Sequence, residues 1–183
     1  KDWLSICGSD NAGIPQAQKD WGWDEKNQRC DFRMIPNGSP SAGDRLNAMW
    51  TYGVETGRMT RQKFVDVCCT LPAKLNGIYP QKGTIEVGSD ADLVIFDPDF
   101  TRTISLETNP TGVDYNVFDG MEQKGRAETV LLRGNVVVED GKYLGEVKEM
   151  VVDGVTYLGA VGGTGKFIPG KPYGLGYDLL KKD

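Results

Sequence analysis

The chain has 183 residues and not one histidine. Histidine is the usual ligand of a catalytic metal and the usual general base near neutral pH. A self-contained zinc hydrolase or a Ser-His triad is therefore excluded from this stretch of sequence. Either the chain carries no such chemistry, or the histidines belong to sequence outside it. It also lacks an apolar run long enough to span a bilayer. Basic runs are absent and the net charge is −5, whereas neutralising a nucleic-acid backbone needs clustered Lys and Arg. Membrane and nucleic acid are thereby set aside as partners. The four cysteines, Cys7, Cys30, Cys68 and Cys69, include no Cys-x-x-Cys spacing, which removes a zinc ribbon. They read as reduced, mostly buried thiols of a cytoplasmic protein, with a disulfide as the lesser reading.

What remains is ordinary globular material, 39% hydrophobic and 26% charged, enough for one domain with a core. Residues 3–9 are short and apolar and predict a buried strand ending at Ser9-Asp10. Residues 11–40 predict a long loop carrying Trp21 and Trp23, and loops of that length are often functional. Ser41, with Asp44 three positions on, reads as a capping-box start to a helix whose apolar face is Leu46, Met49, Trp50, Gly53 and Val54. Gly57 is placed to end it. Thr60 predicts the cap of a second helix reaching about Cys69, and Thr70 and Pro72 open a short third one.

After Tyr79-Pro80 the chain turns β-rich. Thr84–Val87 predicts a brief pairing, 91–97 a strand turned by Pro98-Asp99, and 129–139 a β-branched run. Asp140-Gly141 is a hairpin signal. A weak echo between 136–147 and 151–161 predicts two adjacent hairpins, not a solenoid. Residues 162–183 predict an extended tail that needs a partner surface. Within it, 162–166 mimic a phosphate loop without the full spacing or a following helix.

Asp10 and the turn Ile35-Pro36-Asn37-Gly38 are the candidate chemistry. A carboxylate just past a strand lies at the C-terminal face of a β/α barrel, where such folds place their sites. Alone, each has a plainer reading, Asp10 as a turn or cap and 35–38 as a Pro-Asn-Gly turn. Asp90, Asp92 and Asp97 read as caps or strand exits, Trp50 as core, and Lys171, Lys181 and Lys182 as solvated tail charges.

Taken in order, Gly8-Ser9-Asp10, 35–38, Asp44-Arg45, 72–75 and the segment 83–97 resemble the hydantoinase and dihydropyrimidinase family of cyclic amidohydrolases. So do 114–121, Arg133-Gly134 through Asp140-Gly141, and 165–169. The resemblance covers nearly the whole chain. It implies an α/β plus β architecture: the last strand and helices of a (β/α)8 TIM-type barrel over 1–80, most of a β-sandwich over 81–161, and a C-terminal tail over 162–183. It implies a cytoplasmic hydrolase that opens dihydropyrimidines or hydantoins to N-carbamoyl amino acids at a binuclear zinc site. Asp10 matches the family's metal ligand and proton shuttle, and Asn37 the position whose backbone binds the cyclic amide.

The remaining ligands, a His-x-His pair, a bridging carboxylated lysine and two further histidines, would lie in an N-terminal half outside this chain. Lys1-Asp2-Trp3 does not look like a natural start, and the chain alone is expected to be inactive. The resemblance also implies a homo-oligomer, tetramer or dimer, with the tail reaching onto a neighbour. Asn11 and Ala12 depart from the family's His-Cys, and 148–161 looks inserted. The rival reading is a non-catalytic dihydropyrimidinase-related adaptor. Retention of Asp10 and Asn37 argues against it. A free-standing β-rich binding module is the third reading, disfavoured because it would leave an apolar helix face uncovered.

Overall fold

The computed structural model describes residues 6–108, 112–152, 155–160 and 165–170. Helix α1 (Gln16–Lys19) follows Pro15 and runs into a 3₁₀ turn at Asp20–Gly22. A small hairpin follows, β1 (Trp23–Asp24) paired with β2 (Arg29–Cys30). Its turn is closed by the Asp24 carboxylate, which accepts the N–H groups of Lys26 and Asn27. A second 3₁₀ turn, Phe32–Met34, is capped by Asp31.

Helix α2 (Arg45–Met49) continues as a wider π turn through Trp50–Val54 and stops at Gly57, whose φ is 69°. Thr60 caps α3 (Arg61–Val65) by accepting the Lys63 N–H. The predicted break at Thr70 is absent. The chain passes through a π turn at Asp66–Thr70 straight into α4 (Leu71–Leu75). Pro72 has no N–H to give to an α-ladder, and it falls where the wider turn has already set that ladder aside.

The sheet is antiparallel, in the order β3 (Leu93–Thr103), β4 (Glu122–Leu132), β5 (Asn135–Glu139), β6 (Lys142–Tyr143). Pro98-Asp99 does not end β3. The register slips between Asp97 and Thr101 and the strand resumes, because a bulge takes up the residue that cannot donate. The Asp97 carboxylate accepts the Asp99 N–H at 3.0 Å across it. The β-branched run over 129–139 is two strands, not one. Arg133 (φ 48°) and Gly134 (φ 80°) turn it, and Asp140 (φ 52°) and Gly141 (φ 71°) turn the next pair. Both turns carry positive φ at their two central residues, the geometry that matches strand twist.

A separate hairpin, β7 (Val147–Val152) with β8 (Val155–Ala160), bears out the expectation of two adjacent hairpins, though it begins at Val147. Of the tail, 165–170 are described and lack regular structure. A Cβ on Gly170 would fall 2.6 Å from Asn76 O, just beyond α4. The phosphate-loop mimic at 162–164 lies outside the described residues.

Helices meet sheet at an aromatic cluster. Trp50 sits edge-on to Phe64 (centroids 5.5 Å apart) and tilted against Phe96 (4.7 Å). Arg61 lies over the Trp50 ring. Val67, Ala73 and Ile104 are buried too. The Thr51 hydroxyl lies 3.0 Å from Lys124 O and accepts the Lys124 N–H at 2.9 Å, tying α2's extension to β4. Two expectations fail here. Asp44 does not cap a helix with its side chain. It is buried, accepts Asn116 Nδ2 at 2.9 Å and faces Arg102 at 3.9 Å. A helix start already docked on a sheet offers the carboxylate stronger partners than its own backbone. The cysteines, though free, are not mostly buried: Cys30 and Cys69 are exposed and Cys7 and Cys68 half-buried. Partial burial nonetheless pushes the Cys68 thiol up to about 11.

The segment leading to β3 does not pair at 84–87. It is stapled instead by Lys82, whose ammonium bonds the Asp90 carboxylate at 2.8 Å and also that of Asp92. Asp92 in turn accepts the Arg133 N–H. Hydrogen bonds from Lys82 and Gln81 hold Asp90 below its ordinary value of 3.8. A depressed carboxylate contributes stability that is complete above the unfolded value and lost as pH falls through the folded one. Asp90→Asn is therefore expected to lower the urea midpoint at pH 7, with the gap to wild type closing below about pH 3.8.

Gly125 (φ 70°) backs onto the cluster. A Cβ there would meet Phe96 at 2.6 Å and Trp50 at 2.8 Å, whereas Gly134 (φ 80°) faces open space. Gly125→Ala is expected to cost about 2–4 kcal/mol by overpacking added to backbone strain, and Gly134→Ala about 1 kcal/mol from strain alone. Urea unfolding of the two variants checks the difference.

Candidate functional site

Residues 6–9, the described part of the predicted strand, are irregular. A parallel strand takes its hydrogen bonds from strands on either side, and no such neighbour lies beside it among the described residues. Its backbone is held by helix-side groups instead. Cys7 N–H donates to Val67 O at 3.1 Å, Arg45 Nη1 donates to Cys7 O at 2.5 Å, and the Ser41 hydroxyl donates to Ser9 O at 2.7 Å. The chain then turns at Asp10, which adopts a left-handed φ of 48°. That conformation is uncommon outside glycine but tolerated by Asp.

The turn brings the two candidate segments together. Asn11 and Ser39 form a parallel bridge. Ser39 N–H donates to Asp10 O at 3.1 Å, and Ala12 N–H donates to Ser39 O at 3.0 Å. Gly38 (φ 87°) makes this contact possible, since a Cβ there would meet Ala12 Cβ at 2.6 Å and Asp10 O at 2.9 Å. Asp10 and Asn37 are 27 residues apart in sequence, yet Asp10 lies one residue before the bridge and Asn37 two residues before it. Both are exposed.

Four residues to which the sequence assigned no site role build the site. Asn11, a departure from the family pattern, accepts the N–H groups of Ser41 and Ala42 at 3.1 Å each and so fastens the bridge to the start of α2. Ser41 and Arg45 hold residues 7–9 as described. Lys19 donates to Pro36 O and to Gly38 O, 2.5 Å each, from a half-buried position. Its helix is fixed in turn by Asp114, which accepts the Gln16 N–H. Only the length of the loop hinted at such fastenings, because contacts between residues tens of positions apart leave no periodic mark.

The Asp10 carboxylate is exposed and makes no hydrogen bond or ion pair to another described residue. No group of three or more His, Cys, Asp or Glu converges among the described residues. The chain's donor set thus fits one oxygen ligand of a hard or borderline cation. A cleft of about 920 Å³ is lined by 57–63, Val65, Asp66 and Thr70 and by neither candidate residue. Its carboxylate, Asp66, lies 3.8 Å from Lys63. It is an open face of the helices with no group poised for chemistry.

Gly38→Ala is expected to separate the two segments. Clash and left-handed strain together amount to about 2–3 kcal/mol. Faster amide hydrogen exchange at Ser39 and Ala12, with exchange in β4 unchanged, is the measurement.

Comparison with known proteins gives a consistent picture. The family model described as "Amidohydrolase family" matches residues 5–137. The D-hydantoinase of Geobacillus stearothermophilus is 46% identical over 144 residues, covering 78% of this chain and 29% of its own length. The dihydropyrimidinase of Rattus norvegicus is 40% identical over 170 residues, covering 93% and 29%. Among solved structures, the D-hydantoinase (dihydropyrimidinase) from Thermus sp. aligns with a TM-score of 0.71 at 44% identity, over 79% of this chain and 31% of that one. The L-hydantoinase (dihydropyrimidinase) from Arthrobacter aurescens aligns at 0.69 and 41%, over 78% and 30%. The chain spans about 29% of the length of these curated relatives. No helix among the described residues is long and apolar enough to cross a membrane.

Proposed function

The chain belongs to the amidohydrolase family, and on that premise we propose that the protein carrying it opens the ring amide of dihydropyrimidines or hydantoins to give N-carbamoyl amino acids. The observation that carries the proposal is the Asn11–Ser39 bridge, which seats a carboxylate without a partner among the described residues beside an exposed Asn turn. Relatives at 46% and 40% identity bear the names hydantoinase and dihydropyrimidinase. Residues 1–80 are read as the end of a barrel, 81–161 as most of a β-sandwich, and 162–183 as a tail that contacts a neighbouring subunit of a tetramer or dimer. The other metal ligands and the rest of the barrel are assigned to sequence outside this chain. The protein is read as cytoplasmic.

In this reading Asp10 is one oxygen ligand of a binuclear zinc site. Bound zinc would supply a water nucleophile at neutral pH and polarise the ring carbonyl. Asp10 takes the proton released as the nucleophile forms and hands it to the ring nitrogen as the C–N bond breaks. An exposed carboxylate with no competing partner among the described residues suits both duties. The backbone N–H and C=O of Asn37 read the amide edge of the ring by paired hydrogen bonds. The positive φ of Gly38 and the Lys19 contacts hold that turn open to the ring.

Asp10→Asn is expected to leave the fold within about 0.5 kcal/mol of wild type, as surface changes usually do. Ring-opening kcat is expected to fall by about 10²–10⁴-fold, the usual share of a positioned proton shuttle. Steady-state hydrolysis of 5,6-dihydrouracil and hydantoin by the zinc-loaded protein is the check. A variant retaining full kcat rejects the role.

A further inference from the structure

Lys19 lies on α1, outside both candidate motifs, yet its ammonium bonds the two carbonyls on either side of Asn37, Pro36 O and Gly38 O at 2.5 Å each. These carbonyls belong to particular peptide units. Pro36 C=O shares its unit with the Asn37 N–H, and Gly38 C=O shares its unit with the Ser39 N–H. In a trans peptide the two groups point in opposite directions, so a cation on the oxygen polarises the N–H on the far side. One of these N–H groups, that of Asn37, is the donor to which the ring-opening reading assigns the substrate amide. The other, that of Ser39, donates to Asp10 O at 3.1 Å.

We propose that Lys19 is a positioning residue for ring opening. Through one peptide unit it strengthens the donor that reads the cyclic amide, and through the next it fixes the backbone of the proton-carrying aspartate. The role rests on the ring-opening reading above. The arrangement is a short relay, Lys19 Nζ to Gly38 C=O, Ser39 N–H to Asp10 C=O, so the two halves of the site share one charge. A lysine serving only to fill space would not need both carbonyls, and a loop held only by its own turn chemistry would not need a lysine. Fixing of α1 by the Asp114 carboxylate at the Gln16 N–H, 2.9 Å, gives the ammonium a firm base. Asp20, beside it in sequence, is hydrogen-bonded to Gln16 and so does not draw the ammonium away.

The test compares Lys19→Met and Lys19→Arg with wild type in the zinc-loaded protein, using 5,6-dihydrouracil as the probe. Met keeps the aliphatic stem and removes the charge and its donors, whereas Arg keeps both. Lys19→Met is expected to raise KM about tenfold, the loss of one charge-assisted contribution, with a smaller fall in kcat. Lys19→Arg is expected to stay within about threefold of wild type. The second readout is independent of turnover: amide exchange of the segment 35–41 should accelerate in Lys19→Met while exchange in β4 does not change. Unchanged KM and unchanged exchange in Lys19→Met would overturn the proposal. So would a KM effect that Arg fails to restore, or exchange that accelerates throughout the chain, since both mark a merely structural lysine. If wild type itself opens neither dihydrouracil nor hydantoin, the ring-opening reading falls. The exchange comparison then still decides whether Lys19 governs the turn.

Discussion

The contact on which the rest depends is Trp50 against Phe96 and Phe64. It is the place where a helix with little core of its own meets a sheet that is otherwise exposed on much of its surface. Aromatic rings bury more area per residue than any other side chain and prefer the edge and tilted geometries seen here. Helix α2 is thereby set against β4, and the Asp10 side of the candidate site hangs from the start of α2. Ser41 and Arg45 hold residues 7–9, Ser41 and Ala42 take the Asn11 carboxamide, and the Asn11–Ser39 bridge carries Asp10 to the Asn37 turn. Loosening the aromatic contact would leave the site's hydrogen bonds intact locally but without a frame.

The polar network under the same helix works in a different currency. Asp44 is buried and shares Asn116 with 114–121 and Arg102 with β3, while Arg102 Nε donates to the buried Gln123. Breaking such a network strands a charge, which costs far more than the net worth of the pair. Aromatic packing supplies adhesion and this network supplies register: a helix slid along the sheet would keep much of its apolar contact but lose every one of these partners.

How legible was this in the sequence? The helix caps at Thr60 and Gly57 and the turn at Asp140-Gly141 follow from local chemistry, and local chemistry is what a sequence displays, whereas the turn at Arg133-Gly134 was hidden inside a continuous β-branched run. Pro98 misled because a bulge and a strand end look alike until the partner strand is known. Asp44 misled because the acid that closes a capping box opened by Ser41 and the acid of a buried ion pair are the same residue type, and only the neighbours, 58 to 72 positions away, decide between them. Asp10 and Asn37 stood out through motif order. The reason they sit together, Gly38 packed against Ala12 and Lys19 reaching across the turn, is three-dimensional and left no pattern. The apolar segment before Asp10 read as a strand, yet strands exist only through their neighbours, and its backbone is satisfied here by Arg45 and Val67.

The bridge at Asn11 and Ser39 has an evolutionary consequence. It closes the loop 11–40 at its base, so the entropy of ordering whatever lies beyond has already been restricted. Lengthening a closed loop is inexpensive, about 0.6 kcal/mol for each doubling. The β1–β2 hairpin, with exposed Trp23 and its neighbours Trp21 and Phe32, lies beyond both the bridge and Lys19. Such a segment is free to be exchanged, extended or shortened among descendants without moving Asp10 relative to Asn37. The fold thus separates a part that holds Asp10 against the Asn37 turn from a part available for tinkering, and it draws the line at a single pair of backbone contacts.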